Sequence, residues 1–240
     1  VSRKIARYGG EVILYDDALL SHAGPALFAP ALQAARATGG RGATLFIECA
    51  GQPCVLRHYY RGGLIGRLLS DQFLWLGESI TRCFREWLLL EQLFDMGLPV
   101  PRPVAARYQR AGFIYRADLL TARLPDVESL AVRLGRGAVS TEVWGRIGEC
   151  IARFHAAGVW HADLNAHNIQ LDAADRIFLL DFDRGRIRPV ARGWQQSNLA
   201  RLQRSLRKIS ASSPGAPGFS AAEWRWLVEG HEAALAAAQR

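Results

Sequence analysis

Two short runs concentrate the side chains best suited to moving a phosphoryl group: His161-Ala162-Asp163-Leu164-Asn165-Ala166-His167-Asn168 and Asp181-Phe182-Asp183. They read H-x-D-L-x-x-x-N and D-F-x. Phosphoryl transfer asks for a carboxylate that accepts or orients the proton of the attacking hydroxyl. It also asks for an amide and a second carboxylate that hold magnesium on the phosphates of ATP. Asp163 is the candidate for the first task, and Asn168 with Asp181 for the second. Between them Ile169-Gln170-Leu171, a turn at 172–175 and the apolar run 177–180 read as a two-stranded ribbon. Such a ribbon brings its ends together, so Asn168 and Asp181 can share a metal. Either run alone is ordinary, because loops are rich in Asp, Asn and His; the pair in order, joined by a hairpin, carries the reading. The cofactors it calls for are ATP and Mg2+.

The elements that must position these groups can be followed along the chain. Residues 1–36 hold short apolar pieces without strong periodicity. Gly39, Gly40 and Gly42 then precede a β-prone run, Thr44–Cys49. Glycines there suit a loop whose backbone N–H groups approach phosphate, although the third glycine of G-x-G-x-x-G is missing and a plain hairpin turn is the alternative. A second strand, 54–60, places Arg57 where protein kinases carry the lysine of V-A-I-K. The only lysines, Lys4 and Lys208, lie elsewhere. The stretch 60–69 mixes glycine, arginine and large apolar groups, as a packed loop or a flap would. Residues 81–96 form a helical pattern closed by Gly97 and a proline run. Glu86 sits on its apolar stripe with Cys83, Leu90 and Leu93, so it needs a cationic partner, for which Arg57 is the natural choice. Glu91 is the other candidate carboxylate on that helix. A strand pair near 104–124 leads to Leu124-Pro125-Asp126, a candidate hinge, and residues 141–157 form an amphipathic helix that feeds the catalytic run. The expected architecture is α+β and two-lobed, protein-kinase-like: a small β-rich lobe at 1–124 and a mainly helical lobe at 125–240.

The runs HADLNAHNIQLD and LLDFDRG, with the segment V-L-R-H-Y at 55–59, closely resemble 3-deoxy-D-manno-octulosonic acid (Kdo) kinases, relatives of the lipopolysaccharide core heptose kinases. The resemblance extends from about Gly39 to Leu206. It implies that Asp163 is the base toward the acceptor hydroxyl, that Asn168 and Asp181 hold magnesium, and that Arg57 replaces the strand lysine. It gives His161 a bracing role. Asp183, where protein kinases have the glycine of D-F-G, would bind a second metal, contact substrate together with Arg184, or stabilise the loop. The implied acceptor is an anionic glycolipid, a Kdo-lipid A precursor, phosphorylated at the 4-hydroxyl. The implied location is the cytoplasmic face of the bacterial inner membrane, held peripherally, with no nucleic acid and no obligate protein partner.

Charge and departures narrow the acceptor. The formal net charge is +8, and the whole excess falls between Arg184 and Ala222, where eight basic residues meet no acidic one. A local positive excess points to an anionic partner, or is simply a solvated basic face. Within it Leu199, Leu202, Leu206 and Ile209 share one helical face, while Arg201, Arg204 and Lys208 lie on another. Ala162 replaces the arginine of H-R-D and no A-P-E follows Asp183, both unlike a protein kinase. Alternatives are a phosphotransferase of the aminoglycoside or choline kinase type, to which clustered positive charge is no help, and a nucleotide-binding pseudokinase, which the intact Asp163, Asn168 and Asp181 disfavour. Cys49, Cys54, Cys83 and Cys150 show no metal-ligand spacing and read as reduced packing residues. No apolar run is long enough to span a bilayer.

Overall fold

The structure, a computed structural model, describes residues 1–31, 44–60, 71–212 and 219–238. Gly39, Gly40 and Gly42, and nearly all of the glycine-arginine stretch 60–69, lie outside the described residues. The chain forms two compact units: Val1–Asp95 with Pro101–Arg123, and Met96–Val100 with Leu124–Arg240. Residues Met96–Val100 therefore belong with the second unit, although they precede the last strands of the first.

In the first unit, β1 (Arg3–Tyr8), β2 (Glu11–Asp16), β3 (Thr44–Cys49), β4 (Gln52–His58), β6 (Pro103–Ala111) and β7 (Ile114–Ala122) make an antiparallel sheet in the order β1-β2-β6-β7-β4-β3, with β5 (Phe73–Leu74) also on β7. The helix α1 (Arg82–Asp95) buries Cys83, Phe84, Glu86, Trp87, Leu90 and Leu93, spaced three and four apart as one stripe. Adjacent residues of a strand point to opposite faces. Tyr108 meets Phe84 of α1, while Arg107 lies under the ring of Phe28. The segment after β2 therefore covers the face opposite α1, where Ile13, Leu20, Phe28, Leu56 and Leu120 form a core. That face also buries Asp118, which accepts from Arg107 at 2.6 and 2.9 Å and pairs with His58 Nδ1 at 2.7 Å.

The β1–β2 hairpin is absent from the sequence-based expectation. Its strand Arg3–Tyr8 is almost wholly exposed, and Glu11–Asp16 almost wholly buried, so neither alternates. The usable signal is the Gly9-Gly10 pair between them. Gly9 adopts φ +59°, and a side chain on Gly10 would press on the Arg110 carbonyl.

The second unit is mainly helical. Its helices are α2 (Leu130–Arg136), α3 (Thr141–Ala156), α4 (Arg192–Ser212) and α5 (Ala221–Ala238). A small sheet joins β8 (Glu128–Ser129), β10 (Ile169–Leu171) and β11 (Ile177–Leu179), and β9 (Val159–Trp160) pairs with β12 (Arg186–Ile187). The short α2, unforeseen from sequence, starts at Ser129, whose hydroxyl accepts from Val132 N–H. The apolar face of α3, through Val143, Ile147, Ile151 and Phe154, is buried, as its amphipathic pattern requires. Helices α3 and α5 approach so closely that a Cβ on Gly148 would collide with the Leu227 carbonyl, and one on Gly230 with Gly145. Residues 96–100 join this unit through Leu179 N–H to Pro99 O at 3.0 Å and Arg153 to Gly97 O at 2.8 Å.

Candidate active site

The run 161–168 is a loop whose polar atoms are mostly committed to holding its own shape. His161 is 3% exposed. Its Nδ1 accepts from Asp163 N–H at 3.1 Å, so Nε2 carries the proton and donates to Leu180 O at 2.9 Å. Burial pushes its pKa down, consistent with that neutral tautomer. His161 thus ties the loop to the strand end that delivers Asp181. Asn165 Oδ1 accepts from the N–H groups of His167 and Asn168 at 2.9 and 3.2 Å, and its amide donates to Asp163 Oδ2 at 3.1 Å. The Asn168 amide donates to Asp163 O at 2.9 Å, and its Oδ1 has acceptor capacity only.

The ribbon closes as expected. Ile169 pairs with Leu179, and Leu180 N–H donates to Asn168 O at 2.9 Å, so Asp181 leaves the hairpin beside Asn168. Asp181 stands at φ +61°, a left-handed backbone that non-glycine residues adopt at a cost of about 1 kcal/mol or more and that clusters at functional sites. Phe182 is buried against Phe154 and His161, with ring centroids at 5.7 and 4.8 Å, and anchors the segment between the two flanking carboxylates. Asp183 Oδ2 lies 4.0 Å from Arg184 Nε, too long for a hydrogen bond. Among the described residues no three His, Cys, Asp or Glu side chains converge on a metal site. One amide oxygen and one carboxylate fit Mg2+ nonetheless, since that ion takes its remaining ligands from phosphate and water.

Helix α4 holds the loop from outside, and sequence reasoning missed how. Asn198, 3% exposed, brackets the backbone of His161: its Oδ1 accepts from His161 N–H at 3.1 Å and its Nδ2 donates to His161 O at 2.9 Å. One turn on, Arg201 Nη1 meets Asp163 Oδ1 at 3.0 Å, and Ser205 Oγ accepts from Ala166 N–H at 3.2 Å. Residues 198, 201 and 205 share one helical face. The sequence left the basic stretch open between an anionic partner and a solvated face, and neither reading includes this pair: Arg201 is half exposed and bound to Asp163. Arg204 and Lys208 are exposed. With Asp163, Asn165, His167, Arg201 and Ser205 they line a groove of about 610 Å³.

In the first unit, Arg57 and Glu86 come together. Arg57 Nη2 lies 2.5 Å from Glu86 Oε2, and Tyr59 O–H donates to the same oxygen at 2.6 Å. Glu86 is 2% exposed, whereas Arg57 keeps 27% of its side chain in solvent. The other candidate carboxylate, Glu91, faces Arg3 at 3.4 Å instead. Burial foremost, and then the Glu86 charge, raises Tyr59 well above the ordinary phenol range, so it donates as a neutral group.

The run 161–168 and the Asp181 carboxylate stand at the two ends of one ribbon, in an α+β chain with a β-rich first unit and a mainly helical second, the architecture of a protein-kinase-like phosphotransferase. Residues 29–231 match the Lipopolysaccharide kinase (Kdo/WaaP) family, and the chain belongs to it. It is 48% identical over 204 residues to a 3-deoxy-D-manno-octulosonic acid kinase of Stenotrophomonas maltophilia (strain K279a), covering 82% of this chain and 80% of that one. A Xanthomonas campestris pv. campestris (strain B100) protein of the same name is 48% identical over 208 residues, 84% of this chain and 82% of its own. One of Xylella fastidiosa (strain 9a5c) is 47% identical over 201 residues, 82% of this chain and 80% of its own. Among solved structures a glucosamine kinase (crystal form B) aligns with 100% of this chain and 83% of its own at TM-score 0.47 and 12% identity, a likeness too loose to argue from.

Proposed function

We propose that this chain is an ATP-dependent Kdo kinase, phosphorylating a hydroxyl of Kdo in lipopolysaccharide core assembly. The observation that carries the reading is identity of 47–48% over four-fifths of both chains with proteins named for that activity, in a family of lipopolysaccharide kinases. On this reading Asp163 receives or orients the proton of the acceptor hydroxyl, at a loop held by His161, Asn198 and Ser205. Asn168 Oδ1 and Asp181 hold Mg2+, which when bound neutralises charge on the ATP phosphates. Arg57, kept in place by Glu86, serves the phosphates that a lysine serves in protein kinases, with a planar fork in place of a point charge. Gly39, Gly40 and Gly42 complete the nucleotide site, and Asp183 with Arg184 borders the acceptor.

The acceptor is a Kdo-lipid A precursor, phosphorylated at the 4-hydroxyl. No helix among the described residues is long and apolar enough to cross a membrane. The protein meets its substrate peripherally, at the cytoplasmic face of the inner membrane, through the basic stretch beyond Asp183. Mass spectrometry of the purified protein with ATP, Mg2+ and a Kdo-bearing lipid A precursor tests the reading. One added phosphate on Kdo is expected; phosphorylation of choline or an aminoglycoside, with none on the Kdo lipid, contradicts it.

A further inference from the structure

The groove beside Asp163 has a composition that the transfer step does not need. One wall is the loop, through Asp163, Asn165 and His167; the other is α4, through Arg201, Arg204, Ser205, Lys208, Ile209 and Ser212. The sole acidic side chain in this lining is Asp163, and three cations face it along one side of a helix. With a rise of 1.5 Å per residue, Arg204 and Lys208 stand about 4.5 and about 10 Å further along the axis than Arg201. A hydroxyl presented to Asp163 would therefore carry the neighbouring part of its own sugar ring past Arg201 and Arg204. Arg201 already shows what that ligand looks like, since it holds a carboxylate oxygen, that of Asp163, at 3.0 Å.

We propose that Arg201 and Arg204 form a carboxylate subsite that reads the acid group of the acceptor sugar. In the free protein Arg201 rests on Asp163 Oδ1. When a sugar acid enters, its carboxylate takes the guanidinium of Arg201 and draws on Arg204, and the Asp163 oxygen turns to the incoming hydroxyl. The exchange replaces one charge-assisted pair by another, and Asp163, which gives up its guanidinium, gains the hydrogen bond of the hydroxyl. A neutral sugar offers Arg201 nothing, and the base stays engaged. The groove thereby selects acidic acceptors twice, by attraction at Arg204 and by release of Asp163 at Arg201. This inference deepens the Kdo kinase reading and rests on it, since an octulosonic acid carries the carboxylate required.

The test compares two acceptors in neutral detergent micelles at saturating Mg-ATP: a Kdo-bearing lipid A precursor, and the same lipid with the Kdo carboxylate converted to a carboxamide. Both keep the lipid A phosphates, so those cannot account for a difference. The wild-type protein should show kcat/KM at least about tenfold lower on the carboxamide, the loss expected for one charge-assisted contact. Arg204→Gln should raise KM for the acid lipid about tenfold with little change in kcat, and should raise KM for the carboxamide far less. Arg201→Gln should narrow the preference for acid over amide. If Arg204→Gln harms both acceptors equally, the arginine reads lipid phosphate or micelle surface and the proposal is overturned. Equal use of both acceptors by the wild-type protein overturns it without any variant. Absence of transfer to the acid lipid by the wild-type protein would instead reject the Kdo kinase reading itself.

Discussion

Replacing Asn198 with alanine removes two hydrogen bonds from the backbone of His161 at once. The side chain is 3% exposed and contacts His161 N–H at 3.1 Å and His161 O at 2.9 Å. Each buried polar group left without a partner costs about 1–3 kcal/mol. Two such groups give about 2–6 kcal/mol, and entry of a water molecule would bring the result to the lower end. A loss of about 2–3 kcal/mol in urea unfolding is expected. Activity should suffer separately, because His161 fixes the position of Asp163 N–H and of Leu180, and misplacement by about 1 Å can lower turnover about 10²-fold. Mg-ATP affinity, measured by calorimetry, should change far less than kcat. Asn198→Asp separates geometry from packing: it keeps an acceptor for His161 N–H but sets a second oxygen against His161 O, so it should be no better than alanine. Stability within about 0.5 kcal/mol of wild type, together with unchanged kcat, would refute the claim that α4 positions the loop.

Three further outcomes follow from the same geometry. Arg57→Ala and Glu86→Ala should each impair ATP use, and the double variant should lose less than the sum, since the partners touch at 2.5 Å; strict additivity in Mg-ATP binding would separate them. Asp181→Ala should weaken Mg2+-dependent nucleotide binding, and an unchanged affinity for Mg-ATP would remove Asp181 from the metal site. Stability should fall as pH drops below about 6.5, because the folded protein resists protonating histidines that the unfolded chain protonates freely. Burial and then the neighbouring His231 push His155 down to about 3, and burial lowers His161 and His231 as well. The loss should continue toward pH 3, and a urea midpoint that does not fall between pH 7.5 and 5 would contradict it.

The parts of this protein that could be read from sequence are those whose chemistry is contiguous in the chain. Asp163 and Asn168 lie five residues apart and Asp181 follows across one ribbon, so their meeting is a matter of local geometry. Arg57 and Glu86 were paired by a different logic: a carboxylate on an apolar helical stripe must find a cation, and Glu86 is buried against Arg57. Asn198 and Ser205 gave no such signal. They reach the loop from a helix that begins over 20 residues after it, and polar residues on a helix ordinarily face water. The pairing of Arg201 was hidden for the same reason, because charge count alone does not tell a solvated arginine from one turned toward a carboxylate. The N-terminal hairpin escaped because one strand is exposed throughout and the other buried throughout, leaving no alternation to detect. The glycines of α3 and α5 have low helix propensity, yet they permit the close approach that seats both helices.

The account centres on Asp163 as the group that meets the acceptor hydroxyl. The most direct measurement is phosphate transfer from ATP to a Kdo-bearing lipid A precursor by Asp163→Asn, followed by mass spectrometry alongside Mg-ATP binding to the same variant. Asparagine keeps the size of the side chain and its contact with Asn165 but accepts no proton. Transfer should fall by about 10²-fold or more, with nucleotide binding near that of the wild-type protein. Wild-type transfer by a folded Asp163→Asn protein would contradict the central claim.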